Sequence, residues 1–375
     1  MKNLEFPKGF YWGTATSAYQ IEGGIKNDWS EAGKKYNAGL ACDHYHRFEE
    51  DFDFAKQMNN NAHRFSIEWA RVEPEEGKFD QKELNHYKEV LLALKQRNLE
   101  PFVTLYHWTL PIWFAEKGGW LNKDAPKYFE RFVEKVVREY KGLVKFWITL
   151  NEPNIYASHS FLIGGWPPFI KSWQKTKLAL NQLIEAHKTA YKIIHKIVPD
   201  AQVGPVTNNI WYRGILKILL DYKWNHWFLE NIKNYFDFIG LNYYFGYSIS
   251  GFIFKGKEIS DLGWKIVPDG IYHVLMDLKK YNKPIYITEN GLADAKDAKR
   301  AKFIIDHLKW VYKAIEEGVN IQGYFHWSLI DNFEWDKGFA PRFGLIEIDY
   351  KTLKRLPRSS SKIYAEICKN NAVEL

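Results

Sequence analysis

The stretches Lys145-Phe146-Trp147-Ile148-Thr149-Leu150-Asn151-Glu152-Pro153 and Pro284-Ile285-Tyr286-Ile287-Thr288-Glu289-Asn290-Gly291 follow one plan. In each, an apolar, β-branched and aromatic run ends in an Asn and a Glu and then in a chain breaker. Six more apolar runs recur near Tyr11–Ala18, Ala62–Trp69, Glu100–Trp108, Gln202–Asn208, Phe236–Tyr243 and Ile321–Ser328. Between most of them, apolar residues return every three or four positions, over Asp43–Met58, Asp80–Arg97, Ala125–Tyr140, Trp173–Ile197, Asp269–Tyr281 and Asp297–Glu317. That is helical spacing. Strand-helix alternation predicts a parallel sheet. Eight such units without a low-complexity linker predict an α/β fold, one closed (β/α)8 TIM barrel spanning residues 1–375 as a single domain. No G-x-G-x-x-G or Walker string is present, which disfavours an open nucleotide-binding sheet. In a barrel of this kind the chemistry sits at the C-terminal ends of the strands, where both glutamates fall.

Composition fits that frame. A chain of 375 residues is long for one core, but a barrel with long loops absorbs it. Hydrophobic residues make up 46% and mean hydropathy is -0.42, values of a globular chain in water. Aromatics reach 17%, with 16 Trp, and Trp108, Trp120, Trp264, Trp327 and Trp335 lie at or just beyond apolar runs. An aromatic face can stack on the C–H face of a sugar, although core packing explains most aromatic residues. The net charge of +7 comes without a basic run or a nucleic-acid motif, so it reads as a solvated surface and no nucleic-acid partner is expected. Cys42 and Cys368 match no metal-ligand spacing and read as free thiols in a reducing compartment. With no signal-like N-terminus and no membrane-length apolar run, a cytoplasmic protein without a membrane partner is expected.

Paired carboxylates at strand tips suit acetal cleavage. One carboxyl protonates the leaving oxygen while the other, ionised, stabilises or traps the oxocarbenium-like carbon. Either glutamate alone is as well explained as a solvated or ion-paired carboxylate, so the rest of the chain has to decide. Seven strings do so: Phe10-Tyr11-Trp12-Gly13-Thr14-Ala15-Thr16-Ser17-Ala18-Tyr19-Gln20-Ile21-Glu22-Gly23, Arg64-Phe65-Ser66-Ile67-Glu68-Trp69, Tyr106-His107-Trp108, Thr149-Leu150-Asn151-Glu152-Pro153, Asn242-Tyr243-Tyr244, Thr288-Glu289-Asn290-Gly291 and Trp327-Ser328-Leu329-Ile330-Asp331-Asn332-Phe333-Glu334-Trp335. Through them, in order and nearly end to end, the chain resembles glycoside hydrolase family 1, the β-glucosidase and β-galactosidase type.

That resemblance implies a retaining exo-β-glycosidase with Glu152 as acid/base and Glu289 as nucleophile. It implies Arg64 and Tyr244 beside Glu289, with Asn242 in the same supporting group. Gln20, His107, Asn151 and Glu334 are expected to hold the sugar, with Trp108 in the substrate-binding set. Trp327 is expected as a floor, Trp335 as a further N–H donor and Trp264 on the aglycone side. An acidic Glu334 is expected to repel a sugar phosphate, and a full acid at Glu152 suits an O-glycoside, so the expected partner is a small unphosphorylated β-glycoside or oligosaccharide. Neither cofactor nor metal is implied, since His107 has no second ligand at metal spacing. A transglycosidase and a non-catalytic carbohydrate-binding relative are the alternatives.

The chain departs from the family pattern at Thr109, where Asp is common, and at Ala70, where Pro or Ser is. It is also short for the family. The loss falls between Glu152 and Asn242, where a single helix, Ile215–Asn231, is expected to lead almost directly into the sixth strand. A shortened segment there leaves the aglycone side open or leaves the wall to a partner subunit, so a homo-oligomer is possible.

Overall fold

In the computed structural model, which describes residues 3–214, 217–248 and 257–374, eight parallel strands close into a barrel. They are β1 (Tyr11–Ala15), β2 (Ala62–Ser66), β3 (Glu100–Thr104), β4 (Phe146–Asn151), β5 (Gln202–Asn208), β6 (Ile239–Asn242), β7 (Ile285–Asn290) and β8 (Ile321–Trp327). Each pairs with the next in sequence, and β8 closes onto β1 with Gly323 opposite Tyr11 and Trp327 opposite Ala15. A helix follows each strand on the outside: α1 (His44–Gln57), α2 (Gln81–Gln96), α3 (Ala125–Tyr140), α4 (Trp173–Ile197), α5 (Trp227–Ile232), α6 (Pro268–Leu278), α7 (Arg300–Glu316) and α8 (Ser359–Asn370). A crossover helix is what joins adjacent parallel strands without a knot.

The predicted helices begin where local chemistry starts them. Asp80 caps α2 by accepting from the backbone N–H groups of Lys82 (2.8 Å) and Glu83 (3.3 Å), and the Ser172 hydroxyl accepts from Lys175 (3.4 Å) at the start of α4. Several predicted strands run too long. The apolar residues that extended them, Ala18 and Trp69, belong to short helices in the loops above the barrel, Ala18–Ile21 and Trp69–Val72, and are buried there.

The fifth connection also differs. Instead of one helix there are a helical turn at Lys217–Asp221, a wider π turn at Tyr222–His226 and then α5, while Ile215 and Leu216 lie outside the described residues. The Asn225 side chain occupies the widened turn. It accepts from the Ile210 N–H (2.9 Å) and donates to the Ile210 carbonyl (2.8 Å), which ties the wide turn to the end of β5.

The lower barrel is filled by rings. Phe102 and Phe146 stack with centroids 4.1 Å apart, Phe325 meets Phe102 at 4.7 Å, and Tyr286 meets Phe238 at 5.2 Å. This floor leaves only the C-terminal half of the interior for polar groups. Phe102 is fully buried, so Phe102→Ala should remove about 3–5 kcal/mol of stability, read as a lower urea midpoint at unchanged m-value. A loss under about 1 kcal/mol would mean that the floor does not support the barrel.

Candidate active site

Both glutamates face the interior because their strands are irregular. On β4, Ile148 lies opposite Gly204 and Asn151 opposite Val206, three residues against two. On β7, Ile287 lies opposite Leu241 and Glu289 opposite Asn242, two against one. Each strand therefore carries one extra residue just before its carboxylate. Strict alternation from Tyr286, which faces the interior, would put Glu289 outside with Ile285 and Ile287; the bulge reverses that. After β4, Glu152 takes a left-handed backbone (φ 44°, ψ 59°), and both Asn151 and Glu152 are buried on the inner side. After β7, Gly291 passes so close to Trp327 that a Cβ would lie 1.8 Å from its carbonyl oxygen, so no other residue fits that position.

Arg64, fully buried on β2, organises the centre. Its Nη1 pairs with Glu289 Oε1, Nη2 donates to Asn151 Oδ1 (2.7 Å), and Nε donates to Thr104 Oγ1 (3.2 Å). The other Glu289 oxygen accepts from the Tyr244 hydroxyl at 2.6 Å. Burial and the Glu289 charge push the Tyr244 phenol well up, so it stays a donor.

Glu152 has a different environment. Its Oε1 accepts from the side-chain amides of Asn242 (2.6 Å) and Asn208 (3.0 Å), and among the described residues no cation pairs with it. Burial pushes its carboxyl up and the Glu289 charge adds to the push, while the two amides and Arg64 pull the other way. The net direction is upward. A neutral Glu152 with its proton on Oε2 therefore stands beside Glu289, which is paired to Arg64. Asn242, expected in the group that supports Glu289, stands opposite it in the ladder but gives its amide to Glu152, and its Oδ1 accepts from the Thr288 hydroxyl (2.8 Å).

The two carboxyls open into a cavity of about 300 Å³, which Gln20, His107, Trp108, Trp327, Glu334 and Trp335 also line. Trp264 completes one side, with its ring 5.6 Å from that of Tyr244. Gln20 accepts from the Ser17 hydroxyl (2.7 Å), and its amide donates to Asn332 Oδ1 and to the Phe333 carbonyl, both at 2.9 Å. Asn151 lies between Arg64 and His107, and the Trp108 indole donates to its carbonyl (2.9 Å). His107 Nε2 accepts from the Asn151 amide (3.2 Å), while Nδ1 has no partner among the described residues. Burial and Arg64 push this imidazole well below its ordinary value, so it is neutral, with its hydrogen on Nδ1.

The matching family model is that of glycosyl hydrolase family 1, over residues 2–215 and 226–373. The chain belongs to this family. It is a glycoside hydrolase of the β-glucosidase type. It is 34% identical to beta-glucosidase A of Thermotoga maritima, with all of both chains aligned, and 28% identical to a beta-galactosidase of Pyrococcus woesei over 98% of each. A β-glycosidase structure from Pyrococcus horikoshii superposes with a TM-score of 0.92 at 38% identity, covering 100% of this chain and 97% of that one. The T. maritima β-glucosidase in complex with isofagomine lactam also gives 0.92, at 33% identity over 99% of this chain and 100% of that one. The first alignment runs over 445 positions against 375 residues here, so some 70 have no counterpart in this glycoside hydrolase. The gap in the family match, 216–225, falls on the rebuilt fifth connection.

The family member has cavity residues that the sequence reading missed. Asn208 ends β5 as Asn151 ends β4, so a polar residue closing an apolar run was available as a signal. His159, Trp166 and Asp336 carry no such mark. They meet only in three dimensions, Trp166 stacking on His159 at 4.3 Å and donating to Asp336 at 3.0 Å. Because the Asn208 amide favours ionised Glu152, Asn208→Ala should raise the Glu152 carboxyl further. Carbon-13 titration of a labelled Glu152 checks this, and a downward move would mean that the amide stabilises the neutral acid.

Proposed function

We propose that the protein is a retaining exo-β-glycosidase acting on unphosphorylated β-O-glucosides or β-O-galactosides by double displacement. The observation that carries this reading is the inequality of two carboxyls in one cavity: Glu289 paired to a guanidinium and a phenol, Glu152 uncharged and held by amides. In the first step a Glu289 oxygen attacks the anomeric carbon. The bond to the leaving oxygen breaks, and that oxygen takes the proton of Glu152. The glycosyl ester formed at Glu289 is neutral, so the part of the upward push on Glu152 that came from the Glu289 charge is gone. Glu152, now a carboxylate, is stable as a base. In the second step it takes a proton from water, whose oxygen attacks the anomeric carbon from the opposite face and releases the sugar with Glu289 as leaving carboxylate.

Substrate choice rests on Glu334 and its neighbours. Burial and the charges of Glu289 and Asp336 push Glu334 up to about 8, so at neutral pH it meets the sugar chiefly as an uncharged carboxyl, not as the anion the sequence suggested. What disfavours a phosphate is the surroundings of Glu334. Among the described cavity-lining residues the one cation, Lys337, is taken by Asp336 at 2.6 Å. Trp264, Phe245 and Leu262 give the outer part an apolar side for the aglycone.

Glu289→Ala should abolish turnover, and azide or formate should restore part of it with an α-configured glycosyl product, because the anion takes the nucleophile's place. A β product from that variant would exchange the two roles. Glu152→Ala should slow alkyl glycosides far more than dinitrophenyl glycosides, whose leaving groups need no proton. Equal loss on both would remove Glu152 from the acid role.

The proton on Glu152 also sets a pH dependence. Its carboxyl is raised, so the active protonated form is full below that raised value and is lost as pH rises through it. The alkaline limb of kcat/KM should therefore lie well above the ordinary carboxylate range, and it should disappear for dinitrophenyl glycosides in Glu152→Ala. A limb that stays in the variant belongs to another group.

A further inference from the structure

The positive charge of this chain is concentrated. Residues 160–224 hold nine Lys or Arg against three Asp or Glu, a balance of +6 where the whole chain carries +7. They build one wall of the barrel, from the loop after β4 over α4 to the connection after β5. Among the described residues, Lys171, Lys175, Lys177, Arg213 and Lys223 form no ion pair, whereas basic groups on α2 and α3 do: Lys95 with Glu100, Lys135 with Glu139 and Arg138 with Glu134.

The same wall leaves large apolar side chains in water. On the β4 side Ile163, Phe169 and Trp173 are exposed, Trp173 by 62%. On the β5 side Ile218, Leu219 and Tyr222 are exposed, Ile218 by 84%. Asn154 ties the two sides together by donating to the Trp224 carbonyl at 3.2 Å. Single exposed apolar residues are ordinary, but a set of them among unpaired cations on one wall is not.

We propose that this wall docks on an anionic lipid bilayer surface. Indole and aliphatic groups partition into the headgroup boundary, and the Lys and Arg ammonium and guanidinium groups meet lipid phosphates. The contact is peripheral, since among the described residues no helix is long and apolar enough to cross a membrane. A second copy of this chain fits less well, because a two-fold contact through this wall sets its positive charge against itself. Nucleic acid accounts for the cations but leaves Ile163, Ile218 and Leu219 without a role.

Flotation of the full chain with vesicles tests the proposal. Vesicles of phosphatidylcholine alone are compared with vesicles containing roughly one third phosphatidylglycerol, at low salt and at about 0.5 M. The anionic vesicles should carry at least about tenfold more protein, and high salt should release it. Combined Lys171→Glu, Lys175→Glu and Lys177→Glu should reduce binding at least about tenfold, and so should combined Trp173→Ser, Ile218→Ser and Leu219→Ser. Unchanged thermal transitions check folding in both. Lys56→Glu with Lys362→Glu and Lys369→Glu, exposed on α1 and α8 across the barrel from α4, should bind as wild type. Equal binding to both vesicles, or binding that neither triple variant affects, overturns the proposal. So does a dimer or a DNA complex that these variants break while no vesicle is bound.

Discussion

A guanidinium held at the centre of a barrel, away from water, dictates much of what surrounds it. Removing such a charge from water costs several kcal/mol unless every donor is answered. Arg64 finds its acceptors on β3, β4 and β7, in Thr104, Asn151 and Glu289. The bulges on β4 and β7 are what bring two of those acceptors inward. Below it the stacked rings of Phe102 and Phe146 close the interior, so the cation has no other outlet than the cavity. One ionic contact thus fixes the relative height of four strands at the point where the chemistry occurs.

One cation also makes three buried carboxyls unequal. Arg64 touches Glu289 and neither Glu152 nor Glu334, and both of the latter are pushed up by burial and by the charge on Glu289. The proposed acid and nucleophile are thus one residue type made different by placement. The amides of Asn208 and Asn242 limit how far Glu152 rises, and the Tyr244 hydroxyl adds a second donor to Glu289. Under the proposed double displacement, the Glu289 charge is consumed and restored in turn and Glu152 follows it, which couples the two steps.

Much of this was legible in the sequence. The eight apolar runs and the helical spacing between them carry the barrel because each strand is buried on both faces. What periodicity could not separate was a strand from the short loop helix that continues it, as at Ala18 and Trp69. Nor could it show the widened turn at Tyr222–His226, where Asn225 bonds the Ile210 backbone from outside the string. The site strings placed both glutamates at strand ends, but alternation alone would have turned Glu289 outward, since a bulge leaves no mark in the string. Nor does the string show that Asn242, opposite Glu289 in the ladder, turns its amide to Glu152. The net charge was read as solvated surface because its clustering with exposed Trp173 and Ile218 exists only in the fold.

The central claim is that Glu289, paired to Arg64, makes the covalent attack while Glu152 holds the proton. Trapping tests it most directly. A dinitrophenyl 2-deoxy-2-fluoro-β-glucoside slows both steps but keeps a good leaving group, so an ester at the nucleophile should accumulate. Mass spectrometry of the digested protein should then find one fluoroglucosyl adduct, on the peptide that contains Glu289. An adduct on Glu152, or hydrolysis with inversion and no adduct, would contradict the account.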